Sequence, residues 1–544
     1  MRKLLFGTVL VATAGLIGGL TPAVATPVSG AAAGDRVVRN GPSSVHWTSC
    51  ASPTLQKRKA QCAMVEVPLD YSHPSGRKIS LAISRIKHTV PDSKYQGVML
   101  VNPGGPGGSG LTLSILGEFV PNGAGNYYDW IGFDPRGVGS SKPAVTCDPK
   151  YFGFHRPSYV PTSRSTERAW LAKVKDYAED CGERNGPILQ HLTTVDSAKD
   201  MESIRKALGA KQINYYGFSY GTYLGQVYGT LFPERVRRMV LDSNVNPERI
   251  WYLANLDQDV AFNRNINIWF GWIAKYDSVY HLGKTEVAVR KLWYSTLHTL
   301  GQHPADGKIG ASEWTDIFLY AGYYESTWTD LADTFAGYIH KHDVANLEQQ
   351  YLAANGYGDD NGYAVYLGVQ CTDVQWPRTW SKWQRDNWRT YAKAPYETWA
   401  NAWYNAPCLY WPAKAHKPIK IDGEDVQSVL LIDETLDAAT PYSGSLEVRE
   451  RFPHSSLIAL PGGTSHANSL FGDACLDDQI AAYLAHGTRP RRVSGDRADT
   501  TCAPLPQPVP AGATAPAAAG QGQSLSLTGR IEGARAALMA SARP

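Results

Sequence analysis

Short apolar runs closed by turn-forming residues recur along the first half of the chain. Residues 63–68, 78–86, 97–101, 129–133 and 212–216 have the length and β-branched or aromatic content of strands. Longer stretches at 165–181 and 197–208 space their apolar residues as helices do. Strand–helix alternation of this kind predicts a mainly parallel sheet with helices on both faces. The rhythm stops after Pro247: residues 247–420 hold no buried-strand run, and 257–276 and 284–300 read as helices. It resumes with strands at 428–432 and 456–460 and a helix at 477–484. The pattern therefore predicts an α/β domain in two parts, 46–246 and 421–502, interrupted by a mostly helical cap at 247–420. Residues 26–45 are small, polar and aperiodic, which suits a flexible N-terminus or pro-segment. Residues 503–544 are rich in Pro, Ala, Gly and Gln, which predicts a disordered tail.

Composition sharpens this picture at three points. Of 16 tryptophans, 13 fall in the predicted cap, enough for a large aromatic core with a minority left to line a pocket. The first 25 residues have the form of a signal peptide: Arg2 and Lys3, an apolar run over 4–20, then Ala23-Val24-Ala25 as a cleavage site. Export to an oxidising compartment makes the eight cysteines candidates for disulfides. Sequential pairing, Cys50–Cys62, Cys147–Cys181, Cys371–Cys408 and Cys475–Cys502, closes four modest loops, each worth roughly 2–4 kcal/mol. Net charge is only +3, without blocks of one sign, which argues against nucleic acid or an anionic membrane as partner. Beyond the leader no apolar stretch is long enough to cross a bilayer, so no stable membrane association is expected after cleavage.

The chemistry begins at Gly217-Phe218-Ser219-Tyr220-Gly221, after a predicted strand and before a helix at 223–230. A serine forced into a sharp strand-to-helix turn presents its Oγ above the sheet, and the flanking glycines let neighbouring backbone pass close. Upstream, the segment Asn102-Pro103-Gly104-Gly105-Pro106-Gly107-Gly108-Ser109-Gly110 ends a buried strand. It is placed to supply one oxyanion-hole amide, from Gly104 or Gly105, with the amide of Tyr220 as the second. A serine hydroxyl needs a base. His466, in a loop after the last strand, fits better than His454, which precedes that strand, or His486, which falls on a helix. The orienting acid belongs after the penultimate strand, where Asp433, Glu434 and Asp437 are available; Asp437, further into the loop, is preferred to Asp433. The segment 134–141, Asp-Pro-Arg-Gly-Val-Gly-Ser-Ser, reads as a rigid turn bordering the site.

Taken together, N-P-G-G-P-G-G-S-G at 102–110, F-D-P-R-G-V-G-S-S at 133–141, G-F-S-Y-G-T-Y-L-G at 217–225 and L-D-A-A-T-P-Y at 436–442 resemble a known family. With the region around His466 and Cys475, they are similar to the tripeptidyl aminopeptidases secreted by actinomycetes, in the prolyl-aminopeptidase-like branch of the α/β-hydrolases. The resemblance spans roughly 46–502. It implies an α/β-hydrolase fold, removal of tripeptides from free N-termini of peptides or proteins, and Ser219, Asp437 and His466 as the triad. Two stretches depart from the family pattern: E-T-L-D-A-A-T-P where G-x-x-D-P-x-T-P is common, and T-S-H-A where G-H-G or similar is common. Both flank catalytic side chains and bear on substrate detail.

An aminopeptidase must also recognise an ammonium, for which a cap carboxylate is suited; Glu325 and Asp373 are candidates, each with an ordinary structural role as the alternative. Acyl transfer to water by such a triad needs no metal or organic cofactor. An esterase or lipase with the same triad is the alternative function, and a non-catalytic binding protein on a hydrolase scaffold a further one.

Overall fold

The computed structural model describes residues 45–355 and 357–513. The predicted signal peptide, nearly all of the predicted N-terminal segment, and 514–544 lie outside the described residues.

Ten strands form one sheet: β1 (Thr48–Ser49), β2 (Gln61–Pro68), β3 (Lys78–Ile86), β4 (Val98–Asn102), β5 (Asp129–Phe133), β6 (Ile213–Phe218), β7 (Val236–Asp242), β8 (Val429–Glu434), β9 (Ser455–Leu460) and β10 (Thr500–Thr501). Their order is β1-β2-β3-β5-β4-β6-β7-β8-β9-β10. From β5 to β10 every pairing is parallel, while β1, β2, β3 and β5 pair antiparallel. The central strands are covered on both faces, which is why Ile213–Phe218 and Val429–Glu434 are buried at every position. The helices Arg164–Asn185, Thr194–Ala207, Tyr220–Leu231, Ser443–Arg451 and Ala474–His486 accompany the sheet.

Between β7 and β8 the chain builds eight helices of at least eight residues, from Tyr252–Lys275 to Thr398–Asn405. Their tryptophans make a core of their own: Trp269, Trp272, Trp293, Trp314 and Trp328 pack with Phe270, Phe318 and Phe335. A second group, Trp376, Trp383, Trp399 and Trp403, joins the core beneath the sheet. Only Trp251 among the sixteen lines the central cavity.

All eight cysteines are bonded, Cys50–Cys62, Cys147–Cys181, Cys371–Cys408 and Cys475–Cys502. No described helix is long and apolar enough to cross a membrane. Where a disordered tail is expected from residue 503, the stretch 503–513 instead lies against the cap: the Trp272 indole donates to the Pro508 carbonyl at 2.9 Å. A chain with few apolar side chains is held here through its backbone.

Candidate active site

Register brings the site together before any side chain does. Asn102 is level with Gly217, Phe218 with Asp242, and Asp242 with Ile432, so the loops leaving β4, β6, β7, β8 and β9 emerge along one edge of the sheet. Ser219 sits at the β6 exit with φ 55° and ψ −127°, a left-handed conformation costly for a residue with a Cβ. Its amide donates to the Asp242 carbonyl at 3.1 Å, and its carbonyl accepts from the amide and hydroxyl of Thr222 at 2.8 and 2.6 Å. These bonds over-determine the turn. Oγ takes part in no hydrogen bond among the described residues and faces the cavity.

Two glycines explain how backbone approaches this turn. A Cβ on Gly221 would lie 2.7 Å from the Asn102 carbonyl oxygen, and one on Gly104, whose φ is +100°, 2.6 Å from the Phe218 carbonyl oxygen. The β4 loop and the elbow therefore pack main chain on main chain. The Gly104 amide is committed to Asn102 Oδ1 at 3.0 Å. Gly105 and Tyr220 both border the cavity beside Ser219, and no described group accepts from their amides. Of the three amides proposed for the oxyanion, these two are open. Asp134, from the 134–141 turn, fixes the far end of the loop by accepting from Ser109 Oγ at 2.6 Å and the Gly110 amide at 3.1 Å.

His466 and Asp437 are buried and joined: Nδ1 lies 2.7 Å from Oδ2. Asp437 Oδ1 also accepts from the amides of Ala439 and Thr440 at 2.8 and 3.1 Å, and Oδ2 from Thr440 Oγ1 at 2.9 Å. A carboxylate so surrounded is fixed in plane and turned toward the imidazole. Asp433 points elsewhere, its Oδ2 accepting from Ser445 Oγ at 2.5 Å. His454 and His486 are exposed and away from this cavity.

Each neighbour of His466 in its loop is tethered. Glu434 accepts from the Ser465 amide at 2.6 Å and from Asn468 Nδ2 at 2.8 Å; Asp242 accepts from the amide and hydroxyl of Ser469 at 3.0 and 2.6 Å. Burial pushes the Glu434 carboxyl up to about 8 and that of Asp242 up to about 6. The cap contributes too. The His466 amide donates to the Tyr323 carbonyl at 2.8 Å. Asn265, fully buried, donates through Nδ2 to Leu436 O at 2.9 Å, Gly322 O at 3.2 Å and Thr464 O at 3.3 Å. One amide thus ties the acid loop, the base loop and a cap helix. Sequence reasoning missed Asn265, because nothing local distinguishes it from any other helical asparagine.

The cavity over Ser219 measures about 1230 Å³ including its open mouth and is lined from both domain and cap. The two acids expected to meet an ammonium, Glu325 and Asp373, are not among the residues that line it. Asp373 accepts from the Thr194 amide and hydroxyl at 2.7 and 2.5 Å, and the same hydroxyl lies 2.8 Å from Tyr220 Oη, so this acid buttresses the elbow from behind. Glu325 accepts from Thr464 Oγ1 at 2.7 Å and supports the base loop.

Comparison with known proteins agrees with this geometry. Residues 97–278 match the family described as alpha/beta hydrolase fold, and residues 394–502 the family described as TAP-like protein. The chain is 42% identical over 486 residues to a tripeptidyl aminopeptidase of Streptomyces lividans, an alignment covering 87% of this chain and 89% of that one. The chain belongs to the tripeptidyl aminopeptidase family of α/β-hydrolases. It is also 29% identical to the serine protease Hip1 of Mycobacterium tuberculosis, over 82% of this chain and 89% of that one. Carboxylesterase B of the same organism is 28% identical, over 87% and 95%. The chain is thus similar to proteins named for peptide and for ester substrates.

Proposed function

We propose that this protein is a secreted serine exopeptidase that releases short peptides, tripeptides above all, from free N-termini. In this reading Ser219 Oγ attacks the scissile carbonyl while His466 Nε2 takes its proton. Asp437 holds the imidazole through Nδ1 and stabilises the imidazolium. The amides of Gly105 and Tyr220 receive the oxyanion, and the N-terminus of the helix beginning at Tyr220 adds its dipole. The imidazolium then gives its proton to the leaving amine. Water, deprotonated by the same histidine, attacks the acyl-enzyme, releasing the short peptide and regenerating Ser219.

The observation that carries the reading is Ser219 and His466 on one cavity that a helical cap roofs over, with Asp437 bonded to His466 behind it. Identity of 42% to a tripeptidyl aminopeptidase supports the peptide substrate. Four disulfides support the export expected from the leader.

The test compares hydrolysis of a tripeptide anilide with its N-acetylated form. An aminopeptidase loses most of its kcat/KM on acetylation. Equal rates, or faster cleavage of simple acyl esters, would mark an esterase instead. Ser219→Ala is expected to lower kcat by about 10⁶-fold, as when the members of a triad act as a unit. A purified protein that a fluorophosphonate failed to label would point to a binding protein.

A further inference from the structure

The side chain of Tyr220 begins a chain of buried polar groups. Thr194 Oγ1, on the first residue of the helix Thr194–Ala207, lies 2.8 Å from Tyr220 Oη and donates to Asp373 Oδ2 at 2.5 Å. A threonine hydroxyl has one hydrogen to give. With that hydrogen committed to Asp373, the Thr194 oxygen accepts from Tyr220, so the chain runs in one sense, from phenol to alcohol to carboxylate. Asp373 Oδ1 accepts from the Thr194 amide at 2.7 Å. That contact seats the acid at a helix N-terminus, where negative charge is favoured. All three residues are buried. Hydrogen bonds to an ionised group are the stronger kind, and a low local dielectric strengthens them further.

The far end of this chain is firmly fastened. Asp373 closes the helix Asn361–Asp373, and two residues earlier Cys371 is bonded to Cys408. Between them, the Thr372 carbonyl accepts from the His416 amide at 2.7 Å, and Thr372 Oγ1 from the Trp411 indole at 3.2 Å. The near end is the residue that follows the nucleophile. Tyr220 borders the cavity, and its ring packs against Trp251 with centroids 5.9 Å apart. Phenol and amide share one Cα, so an anchor on the first limits how far the second can turn. An oxyanion donor is worth most when it is aimed before the charge develops.

We propose that Asp373 and Thr194 are positioning residues that aim the Tyr220 amide at the oxyanion, acting through the Tyr220 hydroxyl. The inference rests on the acyl-transfer reading above. It divides Tyr220 between two tasks: the amide meets the reacting carbonyl, and the phenol sets the direction of that amide.

The experiment follows Tyr220→Phe, Thr194→Val, Thr194→Ser and Asp373→Asn on a tripeptide ester and on its thiono form, in which sulfur replaces the carbonyl oxygen. Sulfur is larger and a weaker acceptor, so the thiono ester draws less from the two amides while using the same serine and histidine. The readout is the ratio of kcat on the oxygen ester to kcat on the sulfur ester. Losing an oxyanion donor outright costs about 10²–10³ in kcat, so a misaimed one is expected to cost about ten-fold on the oxygen ester, with KM little changed. Tyr220→Phe, Thr194→Val and Asp373→Asn are each expected to lower the ratio by about five-fold, the sulfur ester being less affected. Thr194→Ser, which keeps the hydroxyl, is expected to hold the native ratio. Thermal melting reports folding, and Tyr220→Phe, which removes a single oxygen, carries the test where another variant does not fold. A lowered melting temperature with an unchanged ratio would make the chain a structural buttress and overturn the proposal. Equal losses on both esters would place the damage at Ser219 or His466 and overturn it too, as would a Thr194→Ser variant no better than Thr194→Val. A native enzyme that cleaves neither ester nor a tripeptide anilide would overturn the acyl-transfer reading itself.

Discussion

Asp433 and Asp437 are four residues apart and both fully buried, yet the structure gives them opposite surroundings. Asp437 accepts from two amides, a hydroxyl and the imidazole. Asp433 accepts from one hydroxyl, and its Oδ1 has no partner; burial, and then the charge of Asp437, hold its carboxyl well above the usual range. The two therefore respond differently to the same substitution. Asp437→Asn, which favours the wrong imidazole tautomer, is expected to lower kcat by about 10⁴-fold. Asp433→Asn, which leaves the contacts between Asp437 and His466 in place, is expected to change kcat by less than about ten-fold. Steady-state rates on one tripeptide anilide separate the two, and the reverse order would move the acid's role to Asp433. At this scale the meeting of His466 with Asp437, and the place of Ser219 on the same cavity, were legible because each residue follows a strand end, a place the chain marks by pattern. The places of Glu325 and Asp373 were not legible, because what decides them is which distant hydroxyl each carboxylate meets, Thr464 for the first and Thr194 for the second.

The elbow is the element on which the others converge. Its strand is continuously buried, its serine is held at a strained φ, and its Gly221 faces backbone from β4. Gly221→Ala would press a methyl against the Asn102 carbonyl at 2.7 Å, with no flexible side chain able to yield. We expect a loss of about 1–3 kcal/mol in unfolding free energy, the usual range for overpacking, together with slower fluorophosphonate labelling. Denaturant titration beside a labelling time course checks both, and a variant of native stability would mean that the β4 loop gives way easily. The strand pattern anticipated most of the sheet but passed over β7, whose first residues include Arg237 and Arg238. These break the apolar run, and their guanidinium groups reach out to Gln96 Oε1 at 2.6 and 2.8 Å. A long side chain can leave an edge of the core while its backbone stays in it.

At the scale of the molecule, buried acids outnumber buried lysines and arginines among the described residues. Burial pushes Asp259 up to about 8, Asp373 and Asp477 up to about 7, alongside Glu434 at about 8. Each of these groups is protonated in the folded state over a range where the unfolded chain, with ordinary carboxyls, has already ionised. The folded state then binds more protons than the unfolded one, so stability falls as pH rises. Their contribution is complete below about pH 4 and is lost as pH climbs through 7–8. Melting temperature is therefore expected to be lower at pH 8 than at pH 5, and the decline should be shallower in Asp259→Asn, where one proton-linked group is gone. Calorimetry across that window checks it; a rising melting temperature would mean that other groups dominate.

The contacts of Asn265 and of the His466 amide carry one more consequence. Because the backbone of His466 is fastened to Tyr323, and the buried side chain of Asn265 grips the loops of Asp437 and His466 from above, the roof is part of the frame that holds those loops. Cutting it away is expected to loosen both loops and not merely to widen the cavity beneath.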